Sequence, residues 1–83
     1  MKNYFVYIIR NHKKILYTGI TKDLNRRVIE HNKGEGAKFT RGRGPWQLAY
    51  SEGPMKHSDA LKREINLKRD RSLKSLLKLQ KNS

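Results

Sequence analysis

Apolar positions at the start of the chain fall in two short runs. Tyr4-Phe5-Val6-Tyr7-Ile8-Ile9 is aromatic and β-branched, as expected for a strand covered on both faces. Arg10-Asn11-His12-Lys13-Lys14 is polar and of hairpin length, and Ile15-Leu16-Tyr17-Thr18-Gly19-Ile20 reads as the returning strand. The period then changes. Leu24, Val28 and His31 recur at helical spacing, which predicts a helix from an N-cap at Thr21 to about Asn32, with Asp23 in the first turn and Gly34 as its terminator.

From Gly34 to Pro45 periodicity disappears. Glycines at 34, 36, 42 and 44 are interspersed with Lys38, Arg41 and Arg43, which reads as an ordered or semi-ordered basic loop. Residues 46–51 alternate large apolar with small or polar side chains, predicting a half-buried third strand that Gly53-Pro54 ends. Ser58 is expected to cap a second helix over residues 59–69. Leu73, Leu76 and Leu77 mark a third over residues 71–79. The predicted order is β-β-α-β-α-α, an α/β (α+β) sheet flanked by helices. The hairpin-length first link argues against a parallel, doubly wound sheet.

Helix faces carry the first chemical signal. With Leu24 at 0°, Val28 falls near ~40°, His31 near about −20° and Arg27 near about −60°. With Leu61 at 0°, Ile65, Lys68 and Glu64 take the same three angles, roughly 40°, −20° and −60°. Each helix thus borders its expected buried stripe of leucine and β-branched residues with a polar pair. Each residue alone has an ordinary explanation: a snorkelling Arg27, a satisfied edge histidine, a Glu64–Lys68 surface pair. Together they supply an anion clamp, a proton handler and a hard-metal ligand, the groups that phosphodiester cleavage needs. Tyr7 and Tyr17 lie on the two hairpin strands, where their hydroxyls could reach this cluster if both rings face the helix.

Composition narrows the partner. The chain has 83 residues, with 20 Lys+Arg against 7 Asp+Glu, three histidines and a formal net charge of +13. Its length suits one domain over residues 1–83. The one-signed excess points to a polyanion, with nucleic acid ahead of an anionic membrane surface. From 62 to 81, eight basic residues face only Glu64 and Asp70. There is no cysteine, which excludes disulfides, thiolate metal sites and thiol catalysis. No phosphate-binding glycine loop, metal-spaced histidine set or serine elbow is present. The run from Tyr4 to Ile9 is far shorter than a membrane span and lacks a cleavage site after it, so an intracellular, cytoplasmic protein is expected.

These residues resemble the GIY-YIG nuclease superfamily, and within it the single-domain branch related to the nuclease module of UvrC-type repair enzymes and intron-encoded homing endonucleases. Val6-Tyr7-Ile8 stands where the first motif would be, and Tyr17-Thr18-Gly19 where the second would be. Thr21-Lys22-Asp23-Leu24-Asn25-Arg26-Arg27 and His31-Asn32 are similar to the family's first helix. Lys38-Phe39-Thr40-Arg41 and Pro45 resemble its basic loop, and Ala60, Glu64 and Lys68 its second-helix signature. The resemblance implies a three-stranded antiparallel sheet flanked by helices, with Tyr7, Tyr17, Arg27, His31 and Glu64 as the catalytic residues. Val6 and Thr18 depart from the motif letters but suit strands. The asparagine that larger branches carry after the glutamate helix has no counterpart, since Asn66 comes too early, and no second DNA-binding domain is evident.

The implied activity is hydrolysis of a nucleic-acid phosphodiester with Mg²⁺ (or Mn²⁺) held by Glu64. Arg27 would neutralise charge on the phosphate, while Tyr17, with His31 or Tyr7 nearby, positions or deprotonates water. Lys38, Arg41, Arg43 and Lys68 would track the backbone, with DNA favoured over RNA as the partner. The alternatives are a binding module on the same fold without useful catalysis, and an RNA- or ribosome-associated accessory protein. A membrane-surface role fits least, because the core needs the last helix's leucines.

Overall fold

The computed structural model describes residues 2–80; Lys81, counted above in the basic C-terminal stretch, lies outside them. Strand β1, Tyr4–Asn11, is central because its last six residues are apolar enough, or well enough hydrogen-bonded, to be buried on both faces. It pairs antiparallel with β2, Leu16–Thr21, on one side and with β3, Trp46–Met55, on the other, giving the sheet order β2-β1-β3. Helix α1, Leu24–Lys33, follows the hairpin. After β3 come α2, His57–Arg69, and α3, Arg71–Leu79. The expected α+β order and antiparallel sheet are therefore observed.

The alternation of β1 divides the core in two. Val6 and Ile8 pack with Ala60, Leu67 and Leu77 beneath α2 and α3. Tyr7 and Ile9 point the other way, packing with Trp46 and with Leu24 and Val28 of α1. Asn11 closes the hairpin: its Oδ1 accepts from the Lys13 and Ile15 amides, and its Nδ2 donates to the Arg43 carbonyl at 2.8 Å. Buried Arg10 donates to the Leu77 carbonyl at 2.7 Å and Lys14 to the Gln80 carbonyl at 2.8 Å. These two cations meet carbonyls that the end of α3 leaves without helical partners.

Several element ends differ from expectation. The N-cap of α1 is Asp23 rather than Thr21; its carboxylate accepts from the Arg26 amide at 3.1 Å, while the Thr21 hydroxyl accepts from the Asp23 amide one turn earlier. Gly34 does terminate the helix, in the left-handed conformation at φ 77°. Strand β3 runs through Gly53-Pro54 to Met55, because it is an edge strand and proline there gives up no ladder bond on its outer side. It then leads straight into α2, which begins at His57 after Lys56, so Ser58 lies inside the first turn instead of capping it.

The face of α2 is the larger correction. Leu61 and Ile65 are 41% and 51% exposed, whereas Ala60 and Leu67 are buried, with Glu64 between them at i+4 of Ala60. Two features explain the rotation. Ala60 allows close approach to the sheet, and Arg63 forms a two-pronged pair with Glu52 of β3 at 2.8 and 2.6 Å, braced by the Tyr50 hydroxyl at 2.5 Å. Glu64 thus lies within the sheet-facing side rather than at its border.

Candidate active site

Tyr7 and Tyr17 share one face of the sheet, but they are diagonal rather than opposite. Tyr7 pairs with Gly19, and Tyr17 with Ile9. The Tyr7 ring lies across Gly19, where an added Cβ would sit 2.6 Å from the hydroxyl. The second tyrosine motif therefore contributes a space as well as a side chain, and that space lets Tyr7 reach α1.

There Tyr7 meets His31. The Tyr7 hydroxyl is 2.7 Å from His31 Nε2, and His31 Nδ1 is 2.8 Å from the Thr40 hydroxyl. Thr40 donates its single proton to the Ala37 carbonyl at 2.9 Å. It can then only accept from the imidazole, so the proton sits on Nδ1 and the Nε2 lone pair faces the Tyr7 hydroxyl, which donates to it. The loop carrying Thr40 is not irregular throughout: Lys38–Thr40 form a 3₁₀ turn. Trp46 secures it, donating from Nε1 to the Thr40 carbonyl at 3.1 Å, while Asn32 bridges the Trp46 backbone at 2.6 and 3.1 Å. Gly36 lies against the imidazole, and a Cβ there would be 2.4 Å from Nδ1.

Burial sets the protonation states. Tyr7 is pushed up to about 12, chiefly by burial; the adjacent Arg27 guanidinium opposes this, while Tyr17 and Glu64 add to it. Its hydroxyl therefore keeps its proton at neutral pH. His31 is held below the ordinary imidazole value, first by burial and then by the positive charge of Arg27, with Glu30 opposing. It is a neutral base in the resting protein. Because the unfolded chain binds a proton on this residue more readily, the contribution of neutral His31 to stability is present above about pH 6.5 and lost as pH falls through its lower folded value. Denaturation midpoints measured from about pH 8 down to pH 5 should fall at the acid end, with a smaller fall in His31→Gln; equal slopes in the two proteins would contradict this.

Arg27 is shared between the site and Glu30, whose carboxylate it meets at 3.0 Å while Arg26 approaches the same group at 3.3 Å. Tyr17 presents its ring edge-on to His31 at 5.3 Å between centroids. Glu64, on α2, is near enough to act electrostatically on Tyr7, and its carboxylate lies 3.5 Å from Lys68. Of the five expected catalytic residues, Tyr7 and His31 are hydrogen-bonded, Tyr17 meets His31, and Arg27 and Glu64 are near enough to act electrostatically on Tyr7. Of the expected nucleic-acid contacts, Lys68 adjoins this group, Arg43 lies over the Phe39 ring at 4.7 Å, and Lys38 and Arg41 stand exposed on the loop.

Among the described residues no three His, Cys, Asp or Glu side chains converge as a metal cluster. Glu64 alone suits a hard, largely hydrated ion, because Mg²⁺ typically takes one or two carboxylates and completes its shell with water and substrate phosphate. Sequence reasoning overlooked Thr40, Gly19, Gly36 and Glu30. Gly19 and Thr40 lie inside the tyrosine and basic-loop motifs, but only the packed rings reveal what they touch.

A tyrosine hydrogen-bonded to a histidine on a three-stranded antiparallel sheet, with an arginine and a carboxylate nearby, is the arrangement expected of a nuclease-type domain. The family model described as GIY-YIG catalytic domain matches residues 3–76, and the chain belongs to that family. It is similar to a UPF0213 protein of Staphylococcus epidermidis, 50% identical over 68 residues that cover 82% of this chain and 83% of the relative. A UPF0213 protein of Staphylococcus aureus is 48% identical over the same coverage. Among solved structures, the solution NMR structure of a UPF0213 protein from Bacillus halodurans matches with a TM-score of 0.52 and 35% identity, over 93% of this chain and 84% of that one. No helix among the described residues is long and apolar enough to cross a membrane.

Proposed function

We propose that this protein is a divalent-metal-dependent endonuclease acting on nucleic acid, DNA in preference to RNA. The observation that carries the reading is the Tyr7 hydroxyl, hydrogen-bonded to the Nε2 lone pair of neutral His31, with the Arg27 guanidinium near enough to act on it electrostatically. A water attacking phosphorus gives its proton to the Tyr7 oxygen while Tyr7 passes its own proton to His31 Nε2. No phenolate accumulates, so the raised Tyr7 value is no obstacle. The Thr40 hydroxyl steadies the imidazolium that forms by accepting from Nδ1. As the water oxygen bonds to phosphorus, the bond to the leaving ester oxygen breaks and that oxygen takes a proton from solvent, while Arg27 faces the charge gathering on the non-bridging oxygens. Tyr17 walls the water's side of the site. Glu64 is the residue to hold Mg²⁺ or Mn²⁺, which when bound supplies positive charge at the scissile phosphate and the leaving oxygen.

We assign the proton relay to Tyr7 rather than Tyr17 because the Tyr7 hydroxyl is the one bonded to the imidazole. The test is cleavage of single-stranded, duplex and branched DNA, and of matched RNA, with Mg²⁺ or Mn²⁺. Glu64→Ala is expected to lower the rate by at least about 100-fold, in line with the loss of a strong electrostatic contribution. Equal cleavage by both proteins would reveal a contaminating nuclease. Binding without cleavage by the wild type would make the domain a binding module instead.

A further inference from the structure

Beside the catalytic cluster lies a groove of about 320 Å³ lined by Leu16, Tyr17, Thr18, Phe39, Lys68 and Lys74. Its floor is apolar and aromatic, its rim cationic. The Phe39 ring is stacked near-parallel to Tyr17, at 19° and 6.0 Å between centroids, yet remains 47% exposed. Arg43 lies over the same ring, with its Nε donating to the Phe39 carbonyl at 2.7 Å. Lys74 reaches the Lys68 carbonyl and joins α3 to the end of α2 at the groove's edge. Lys68 in turn meets Glu64 at 3.5 Å, and Tyr17 meets His31 edge-on, so the groove and the reacting centre share walls.

We propose that this groove takes one unpaired nucleotide next to the scissile phosphate, its base stacking on the Arg43 guanidinium and the exposed part of the Phe39 ring and its phosphate lying against Lys68 and Lys74. This rests on the nuclease reading and names its substrate class: strands with an unpaired base at the cut, not continuous duplex. The chemistry of the groove favours this. A duplex presents sugars and phosphates to a protein surface, which lysines alone can track, whereas an exposed aromatic ring offers nothing to phosphate and stacks on the face of any base. The +13 charge supplies the long-range attraction, and the ring supplies the preference for a base that has left its stack. Base stacking is chemically indifferent to the sugar, so the subsite accepts deoxy- and ribonucleotides alike and any preference for DNA arises at the reacting centre instead.

The test is equilibrium binding in EDTA, where no cleavage intervenes. Fluorescence anisotropy is measured with a single-stranded oligonucleotide, the same sequence as a duplex, and its RNA counterpart. Phe39→Ala is expected to weaken single-strand binding by about tenfold or more and duplex binding by less than about twofold, whereas Phe39→Trp retains single-strand affinity. A 2-aminopurine probe in the single strand should be quenched on binding to wild type and to Phe39→Trp, but not to Phe39→Ala. Parallel losses on single strand and duplex, or full retention of binding and quenching in Phe39→Ala, would overturn the subsite. Similar behaviour of DNA and RNA supports it; loss confined to one sugar contradicts the stacking basis. Because metal is absent, a wild type that stacks single strands without cutting them in the metal assay would fail as a nuclease while the subsite stands. Cleavage unaffected by loss of Phe39 would leave the nuclease and remove the subsite.

Discussion

Tyr7→Phe is expected to lower the cleavage rate by about 10²–10⁴-fold, the usual worth of a positioned proton-transfer group, while leaving nucleic-acid binding near that of wild type. The ring stays packed with Ile9 and Trp46, so the loss isolates one oxygen. In the proposed relay that oxygen links the attacking water to His31 Nε2, which it meets at 2.7 Å. Its removal leaves the imidazole lone pair buried without a donor, at a cost to stability of about 1–3 kcal/mol. The pH dependence gives an independent check. His31 accepts the relayed proton only when neutral, and burial holds it below the ordinary imidazole value, so the wild-type rate should decline on the acid side of about pH 6.5 and be level above it. Rate constants for Tyr7→Phe within a few-fold of wild type across that range would refute the relay.

The second large effect concerns a residue with no functional group. Gly19→Ala places a methyl 2.6 Å from the Tyr7 hydroxyl and 2.8 Å from the ring carbon that bears it. Tyr7 is 1% exposed, so its ring cannot swing clear into solvent. The clash must either displace the hydroxyl from His31 or part β2 from β1, and overpacking of this kind costs about 1–3 kcal/mol. Activity is expected to fall nearly as far as in Tyr7→Phe, with a lower unfolding midpoint as well. The double variant separates the two consequences. Once the hydroxyl is gone, adding the methyl should cost little further activity and less stability than it does alone, a non-additivity that a double-mutant cycle measures directly. Additive losses in both rate and stability would mean that Gly19 acts elsewhere than through Tyr7.

Sequence and structure agree best where one physical rule dominates. The apolar run of β1, the hairpin, and the helical spacing of Leu24, Val28 and His31 needed no tertiary information, because burial on two faces and on one stripe leave different periods. Agreement failed where two rules competed. Asp23 and Thr21 both suited the start of α1, and only the observed hydrogen bonds separate the cap from the turn before it. On α2, the larger side chains Leu61 and Ile65 outweighed Ala60 and Leu67 in the periodicity. The Glu52–Arg63 pair, which holds the other face to the sheet, joins residues on separate elements and leaves no trace in local spacing.

By itself, then, the sequence determined the order of elements, the antiparallel hairpin, the large one-signed charge and the set of polar residues brought near the core, since each follows from local period, composition or motif spacing. Tertiary structure decided how those polar residues are arranged and hydrogen-bonded. The Nδ1 proton of His31 is assigned through Thr40, nine positions away on a loop whose chemistry looked only basic. Tyr7 reaches the imidazole because Gly19 across the ladder has no side chain. Phe39 becomes a ledge because the loop folds back onto Tyr17. Each of these depends on the distance between atoms remote in the chain, a quantity set by packing and hydrogen-bond satisfaction rather than by residue type.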